Sequence, residues 1–348
     1  MPVKKNIKAG IIGLGWPGKE HLKGYLACPG VELAAVCDWD EPLLKSVAAE
    51  YGIKKTYTDY KKMLEIEKLD AVSVCVPNYE HAELSMAALK AGTNVLCEKP
   101  PAMSAAEAEA MAQAAKKTGR VLMYALVMRF TPETRFAKDM IDAGDIGEIY
   151  LGKAGYTRRR GIPLGKDNWF VDNARSGGGA MIDIGVHALD CIWYLMGTPK
   201  PLSVSGVAYR KFEHCVPAGV KYDVDDASMA LIKFANGASL FLEASWAWNL
   251  PGTATKLVAG TKGGIQIEPF RVFTEKKGVV MDETLGESSI PAGYGSAPAN
   301  PFAGEIAHFC DVLRGKAKLI ATPEQGIQLM QMLRGVYESS ETGREIRF

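Results

Sequence analysis

Residues 7–18 read IKAGIIGLGWPG. The first eight are apolar apart from Lys8 and show no helical period, as a strand covered on both faces would. The strand runs into Gly13, Gly15 and Gly18, a G-x-G-x-x-G spacing, and then into the helical pattern GKEHLKGYLAC. Each glycine answers a separate need: a tight turn, a backbone bare enough to touch a pyrophosphate, and close packing of helix on strand. The helix would aim its first amides at the phosphates. A second strand-like run, VELAAVCD, ends at Asp38, twenty residues beyond Gly18. From there a carboxylate grips the ribose hydroxyls of NAD and repels the extra phosphate of NADP. Trp39 and Asp40 add no neutralising cation. NAD is therefore the expected cofactor and NADP the poorer fit, with Trp16 and Pro17 of the loop among the expected contacts.

The alternation continues outward. DAVSVCVP, TNVLCEK and RVLMYALV read as further buried strands, and EPLLKSVAAEYG, YEHAELSMAALKAG and SAAEAEAMAQAAKKTG as helices. Several of the helices end in glycine, and Ser104 with Glu107 has the spacing of a capping box. Strands alternating with helices mean βαβ units, a parallel sheet and the α/β class.

Beyond about Arg129 the texture changes. One helix, PETRFAKDMIDAGD, leads to longer alternating runs, from EIYLGKAGYTRR through PLSVSGVAYRKF and ASMALIKFANGASLFLEASWAW to RVFTEKKGVVM. Asn236-Gly237 marks a hairpin turn. This half predicts a large, mostly antiparallel open sheet with one face on helices. The segment from about Asp282 to Pro301 reads as a loop, and two helices close the chain. The expected division is a Rossmann domain at 1–128 and a substrate and oligomerisation domain at 129–348, the last helices able to pack back on the first domain.

A chain of 348 residues exceeds one ordinary core. With 47% hydrophobic and 23% charged residues and a formal net charge of +1, it has no basic surplus for nucleic acid or an acidic membrane. No apolar run reaches membrane-span length. The N-terminal MPVKKNIKAGIIGLG mimics a signal peptide, but its apolar part is short, glycine-punctuated and lacks a small-residue cleavage site. The seven cysteines are odd in number, scattered and without a C-x-x-C, so reduced thiols in the cytoplasm are expected.

Two stretches carry reactive side chains. In LCEKPPAMS, Glu98 and Lys99 sit at the carboxyl end of a parallel strand, the edge where open α/β sheets bind ligands. Pro100 and Pro101 stiffen the backbone beyond the lysine. In SGGGAMIDIGVHALD, Asp183 and His187 are four residues apart on an otherwise apolar helical pattern. Taken alone, that pair is a buried structural pair, two ligands of a metal whose third would be Asp190, or half of an active site. Together with Lys99 and the glycine loop, the active site is the better reading, and no metal is expected.

GLGWPGKEH, AAVCDWD, CVPNYEHAELSMAALKAGTNVLCEKP, SGGGAMIDIGVHALD and SSETGREI together resemble the Gfo/Idh/MocA oxidoreductases, named for glucose–fructose oxidoreductase and inositol dehydrogenase. The resemblance spans nearly the full chain. It implies hydride transfer between a nicotinamide and a carbinol or carbonyl of a sugar, sugar acid or cyclitol. It also implies a homodimer or homotetramer joined through the open sheet face. It places Asp183 and His187 opposite the nicotinamide together with Lys99. Hydride removal from a carbinol needs a base, and imidazole titrates near neutrality. His187 is thus the expected acid/base, Lys99 polarises the same oxygen, and Asp183 binds a substrate hydroxyl or orients these partners; His187 and Lys99 could exchange roles. Gly177 to Gly179 would let the helix start close to the substrate.

Further expected contacts are Pro77, Asn78, His81 and Glu98 toward the cofactor, and Arg129, Trp169 and Arg175 toward the substrate. Two other functions share the scaffold: an NAD-dependent glycosidase using transient oxidation, and a sugar sensor without catalysis.

Overall fold

In the computed structural model the described residues are 6–285, 290, 294 and 300–348. The two lysines of the signal-like N-terminus, Lys4 and Lys5, lie outside them. The chain divides into two units, one of residues 1–127 and 300–327, the other of 128–299 and 328–348.

The first unit is built on six strands: β1 (Ile7–Ile12), β2 (Val31–Cys37), β3 (Thr56–Tyr57), β4 (Ala71–Val74), β5 (Asn94–Glu98) and β6 (Leu122–Ala125). All pair in parallel in the order β3-β2-β1-β4-β5-β6. That is the doubly wound order with its reversal beside β1, where ligands enter. Helices α1 (Trp16–Ala27), α2 (Glu41–Tyr51), α3 (Tyr60–Glu67), α4 (His81–Lys90) and α5 (Ala105–Thr118) connect the strands. Every residue of β4 and β6 is buried, which is why these runs show no alternation. The predicted stops are in place, with Gly52 and Gly119 left-handed after α2 and α5. Ser104 Oγ accepts from Glu107 N at 3.2 Å, while the Glu107 carboxylate reaches back to Met103 N at 3.0 Å. The short β3 and α3 carry too few apolar residues to stand out in the sequence.

Register sets the site. Ile12 pairs with Cys37 on one side and Val74 on the other, and Val74 pairs with Cys97. Gly13, Asp38, Cys75 and Lys99 therefore leave the sheet along a single edge.

The second unit begins with α6 (Pro132–Asp142) and contains a nine-stranded sheet. Its strands are β7 (Ile149–Thr157), β8 (Pro201–Tyr209), β9 (Ala227–Phe234), β10 (Ser239–Ser245), β11 (Thr253–Gly260), β12 (Gly263–Gln266), β13 (Arg271–Lys276), β14 (Val279–Thr284) and β15 (Ile346–Arg347). The order is β14-β13-β12-β11-β7-β10-β9-β8-β15; every pairing is antiparallel except β7 with β10. The Asn236-Gly237 turn joins β9 to β10, with Gly237 at φ +87°. Helices α7 (Asn173–Ser176) and α8 (Val186–Leu195) lie between β7 and β8. The helices α9 (Pro301–Leu313) and α10 (Pro323–Thr342) precede β15 at the end of the chain.

One sequence expectation changes here. Asp282 to Thr284, assigned to a loop, extend β14; much of the remaining loop, 286–289, 291–293 and 295–299, lies outside the described residues. Residues 300–327, which include α9, belong to the first unit. Within that unit Gly24 of α1 leaves room for Ile306, since a Cβ there would stand 2.8 Å from its Cγ1. Among the described residues no helix is long and apolar enough to cross a membrane. All seven cysteines are free thiols.

Candidate active site

At the sheet edge of the first unit, the glycines do what their spacing requires. Gly13 has φ +91°, and a Cβ there would lie 2.3 Å from the Cys75 carbonyl oxygen. A Cβ on Gly18 would lie 2.0 Å from the Gly13 oxygen, so helix and turn touch backbone to backbone. Gly15 differs: its nearest neighbour to such an atom is Pro17 Cδ at 4.0 Å, which leaves one face open for a ligand. No side chain caps α1, Pro17 sits in its first turn, and Gly15 and Trp16 are exposed. Asp38 accepts Leu14 N at 2.7 Å through Oδ2 and Asp40 N at 2.9 Å through Oδ1. It thereby ties the glycine turn to the end of β2 while keeping 8% of its surface exposed. An open glycine face, an uncapped helix start and a carboxylate at the second strand end fit a nicotinamide dinucleotide.

Lys99 is half-buried and follows β5 directly; its peptide to Pro100 is cis. Glu98, expected at the cofactor, turns inward instead. Its Oε2 accepts the backbone N–H of Lys99 at 3.0 Å and its Oε1 meets His21 Nε2 at 3.1 Å. Burial raises the Glu98 pKa, but His21 and Lys99 outweigh it and hold the carboxyl below its usual range.

His81, also expected at the cofactor, is fully buried. Its Nδ1 lies 2.8 Å from the Pro100 carbonyl and its Nε2 2.9 Å from that of Val76. Both ring nitrogens thus face backbone carbonyls, a neutral ring donating to one of them, and the ring fills the space between the turn after Lys99 and the end of β4. Burial lowers its pKa against those hydrogen bonds. Pro77 is half-buried at the same strand end and Asn78 is 7% exposed.

The second unit presents the other pair. The segment Met181–Gly185 is a π-helix that runs into α8, not the continuous α-helix that the sequence pattern predicts. Such π turns are rare and recur at functional sites. From Ser176 to Trp193 every residue is buried except two, Asp183 and His187, which are half-exposed. An apolar helix therefore opens its polar side chains at a single place. Trp246, fully buried just after β10, donates its indole N–H to Asp183 Oδ2 at 3.0 Å.

Two of the three glycines before this helix are required by close packing, and Gly177, at φ +77°, ends α7 in the left-handed region. A Cβ on Gly179 would fall 1.9 Å from the Asp225 carbonyl oxygen, and one on Gly178 would fall 2.3 Å from Tyr337 Oη. Gly178 and Gly179 make room for neighbouring protein. The Asp225 carboxylate then gathers the helix start: it accepts Gly179 N at 2.7 Å, Met181 N at 3.1 Å, Ser228 Oγ at 2.8 Å and Tyr337 Oη at 2.6 Å. An anion on a helix N-terminus also complements its dipole.

Arg129 is fully buried. It stands in the turn Val127–Phe130, beyond β6, and forks onto Asp190 with Nε at 3.0 Å and Nη2 at 2.6 Å. The expectation that it faces substrate is thereby corrected, because a guanidinium this deep needs a carboxylate partner. Asp190 is likewise the partner of Arg129. Trp169 stacks on Phe170 at 3.9 Å and Arg175 donates to the Asp167 carbonyl at 3.1 Å, both half-buried in the loop before the glycines.

Trp246, Asp225, Tyr337 and His21 escaped the sequence reading. Trp246 lies 63 positions from Asp183, and Tyr337 112 from Asp225. No local period marks such pairs.

An open glycine turn on a doubly wound sheet, an acid at the second strand end and a lysine after β5 define a nicotinamide-dependent oxidoreductase of CH–OH groups. Residues 7–126 match the family described as an oxidoreductase family with an NAD-binding Rossmann fold, and residues 134–266 match the GFO/IDH/MocA C-terminal domain. The chain belongs to the Gfo/Idh/MocA family. It is 35% identical to a D-glucoside 3-dehydrogenase of Escherichia coli, over 98% of this chain and 97% of the relative. It is 29% identical to a scyllo-inositol 2-dehydrogenase (NAD+) of Bacillus subtilis, over 94% and 92%. A crystallised levoglucosan dehydrogenase in complex with NADH and levoglucosan superposes with a TM-score of 0.87 at 26% identity, covering 98% of this chain and 99% of that one.

Proposed function

We propose that the chain oxidises a ring hydroxyl of a sugar or cyclitol with NAD, a D-glucoside being the first candidate and its 3-position the first site to examine. The observation that carries the reading is the pair Asp183 and His187, half-exposed in a helix otherwise buried from Ser176 to Trp193. The named activities of the relatives support the substrate class, since a glucoside, levoglucosan and scyllo-inositol all present adjacent secondary hydroxyls on a ring.

Bound nicotinamide supplies the hydride acceptor. His187 takes the hydroxyl proton as the C–H bond breaks, and Lys99 polarises that oxygen. Asp183, held by Trp246, binds a neighbouring hydroxyl. Trp169 and Arg175 line the substrate side, and Pro77 and Asn78 the nicotinamide ribose. Asp38 selects NAD: its carboxylate would repel a 2′-phosphate. The exposed apolar residues Val207, Tyr209, Met229 and Phe241 on the open face of the nine-stranded sheet support a homo-oligomer.

The test follows reduced-cofactor absorbance with methyl glucosides, free aldoses and inositols. Reduced cofactor should appear with one class and fall by at least about a thousandfold in Lys99→Ala and His187→Ala. Asp38→Ser should lower the preference for NAD over NADP by about a hundredfold. Cleavage of a chromogenic glycoside without net cofactor turnover would replace the reading with the glycosidase. Tight sugar binding without either reaction would replace it with the sensor.

A further inference from the structure

Behind Lys99 the first unit holds an unbroken line of buried polar groups. Tyr25 Oη lies 2.9 Å from Ser73 Oγ, and Ser73 Oγ lies 2.9 Å from His21 Nδ1. His21 Nε2 lies 3.1 Å from Glu98 Oε1, and Glu98 Oε2 accepts the Lys99 amide at 3.0 Å. Tyr25, Ser73 and His21 are fully buried and Glu98 is 6% exposed.

Hydrogen-bond bookkeeping fixes the end of the line. A carboxylate only accepts, so His21 donates through Nε2 to Glu98. The Ser73 hydroxyl, able both to donate and to accept, links His21 Nδ1 to the Tyr25 hydroxyl. Burial pushes the Tyr25 hydroxyl well above its ordinary pKa, so it stays protonated. Two other groups face the imidazole from α9: Glu305, with Oε2 at 3.9 Å, and the ring of Phe302, at 5.9 Å between centroids.

Packing alone does not call for this. Taking a carboxylate out of water is costly unless it is fully bonded, and an apolar side chain would fill the space without that cost. The second oxygen of this carboxylate is spent on the amide of the next residue. On the far side of the lysine, His81 Nδ1 faces the Pro100 carbonyl at 2.8 Å. The backbone around Lys99 is thus contacted from both directions.

We propose that His21 and Glu98 are positioning residues for Lys99. The line from Tyr25 to Glu98 fixes the lysine's amide, and with it the direction in which the ammonium leaves the sheet edge. The inference rests on the reading of Lys99 as the residue that polarises the substrate oxygen.

The experiment compares wild type with Glu98→Ala, Glu98→Gln and His21→Gln in the full chain. Lys99 is followed by reductive methylation across pH, read by peptide mass spectrometry, with Lys45, whose side chain is 78% exposed, as internal reference. NADH affinity is read by fluorescence, and kcat and KM on the best substrate. In Glu98→Ala the methylation midpoint of Lys99 should move relative to Lys45 and kcat should fall by about thirtyfold or more. KM and NADH affinity should stay within about twofold. Glu98→Gln keeps an acceptor for the Lys99 amide and should recover kcat to within about fivefold. His21→Gln, the second variant should Glu98→Ala fail to fold, should shift both readouts in the same direction by less. An unmoved methylation profile, or NADH affinity lost in step with kcat, overturns the proposal. Full turnover in Lys99→Ala would instead overturn the role given to the lysine, and the methylation comparison would still decide whether Glu98 and His21 position it.

Discussion

The indole N–H of Trp246 reaches Asp183 Oδ2 at 3.0 Å, joining the residue after β10 to the π-helix. Trp246 is fully buried, whereas Asp183 is half-exposed, so one end of the bond is fixed by the core and the other opens outward. A hydrogen bond to a carboxylate contributes about 1.5–3 kcal/mol. Trp246→Phe keeps most of the ring and removes the donor. It should lower kcat by at least about tenfold while the thermal midpoint falls by only a few degrees, measured by steady-state kinetics and calorimetry.

Arg129 and Asp190 should behave as a structural pair. Removing one partner of a buried ion pair costs about 3–5 kcal/mol, because the other is left uncompensated. Arg129→Met should lose that much in urea unfolding. The double variant Arg129→Met with Asp190→Leu should recover most of it. Substrate KM in the folded double variant should remain within about twofold of wild type; a tenfold rise would return Arg129 to the substrate.

Gly179→Ala places a methyl group 1.9 Å from the Asp225 carbonyl oxygen, which is backbone and cannot swing away. The strain should cost about 3 kcal/mol. Gly15→Ala meets nothing nearer than 4.0 Å and should leave stability within about 1 kcal/mol while weakening NADH binding. Unfolding and fluorescence titrations separate the two effects.

Glu67 provides a pH dependence. Burial raises its pKa, but hydrogen bonds from Lys55, Tyr57 and Lys8 prevail and lower it from 4.5 to about 2. A folded value below the unfolded one means that the carboxylate stabilises the fold fully above about pH 4.5 and loses that contribution as pH falls toward 2. Glu67→Gln should cost about 2–3 kcal/mol at pH 7 and little near pH 2. Urea midpoints across pH would show the two curves converging in acid; parallel curves would refute the account.

The sequence by itself determined the first unit's parallel sheet and the glycine turn with its acid at Asp38. These features are local: a buried strand needs a continuous apolar run, a pyrophosphate turn needs glycines at fixed spacing, and both are written within about thirty residues. The residue types at Lys99, Asp183 and His187 were legible for the same reason. The tertiary structure alone decided what each polar side chain faces. Arg129, Glu98 and His81 read as ligand contacts by position, yet all three turn inward, because a buried charge or ring nitrogen must find a partner and the partner stood elsewhere in the chain. Asp225 under the π-helix and Trp246 beside Asp183 had no sequence signal for the same cause. Their bonds close across 46 and 63 positions, and only the folded backbone brings such atoms within 3 Å.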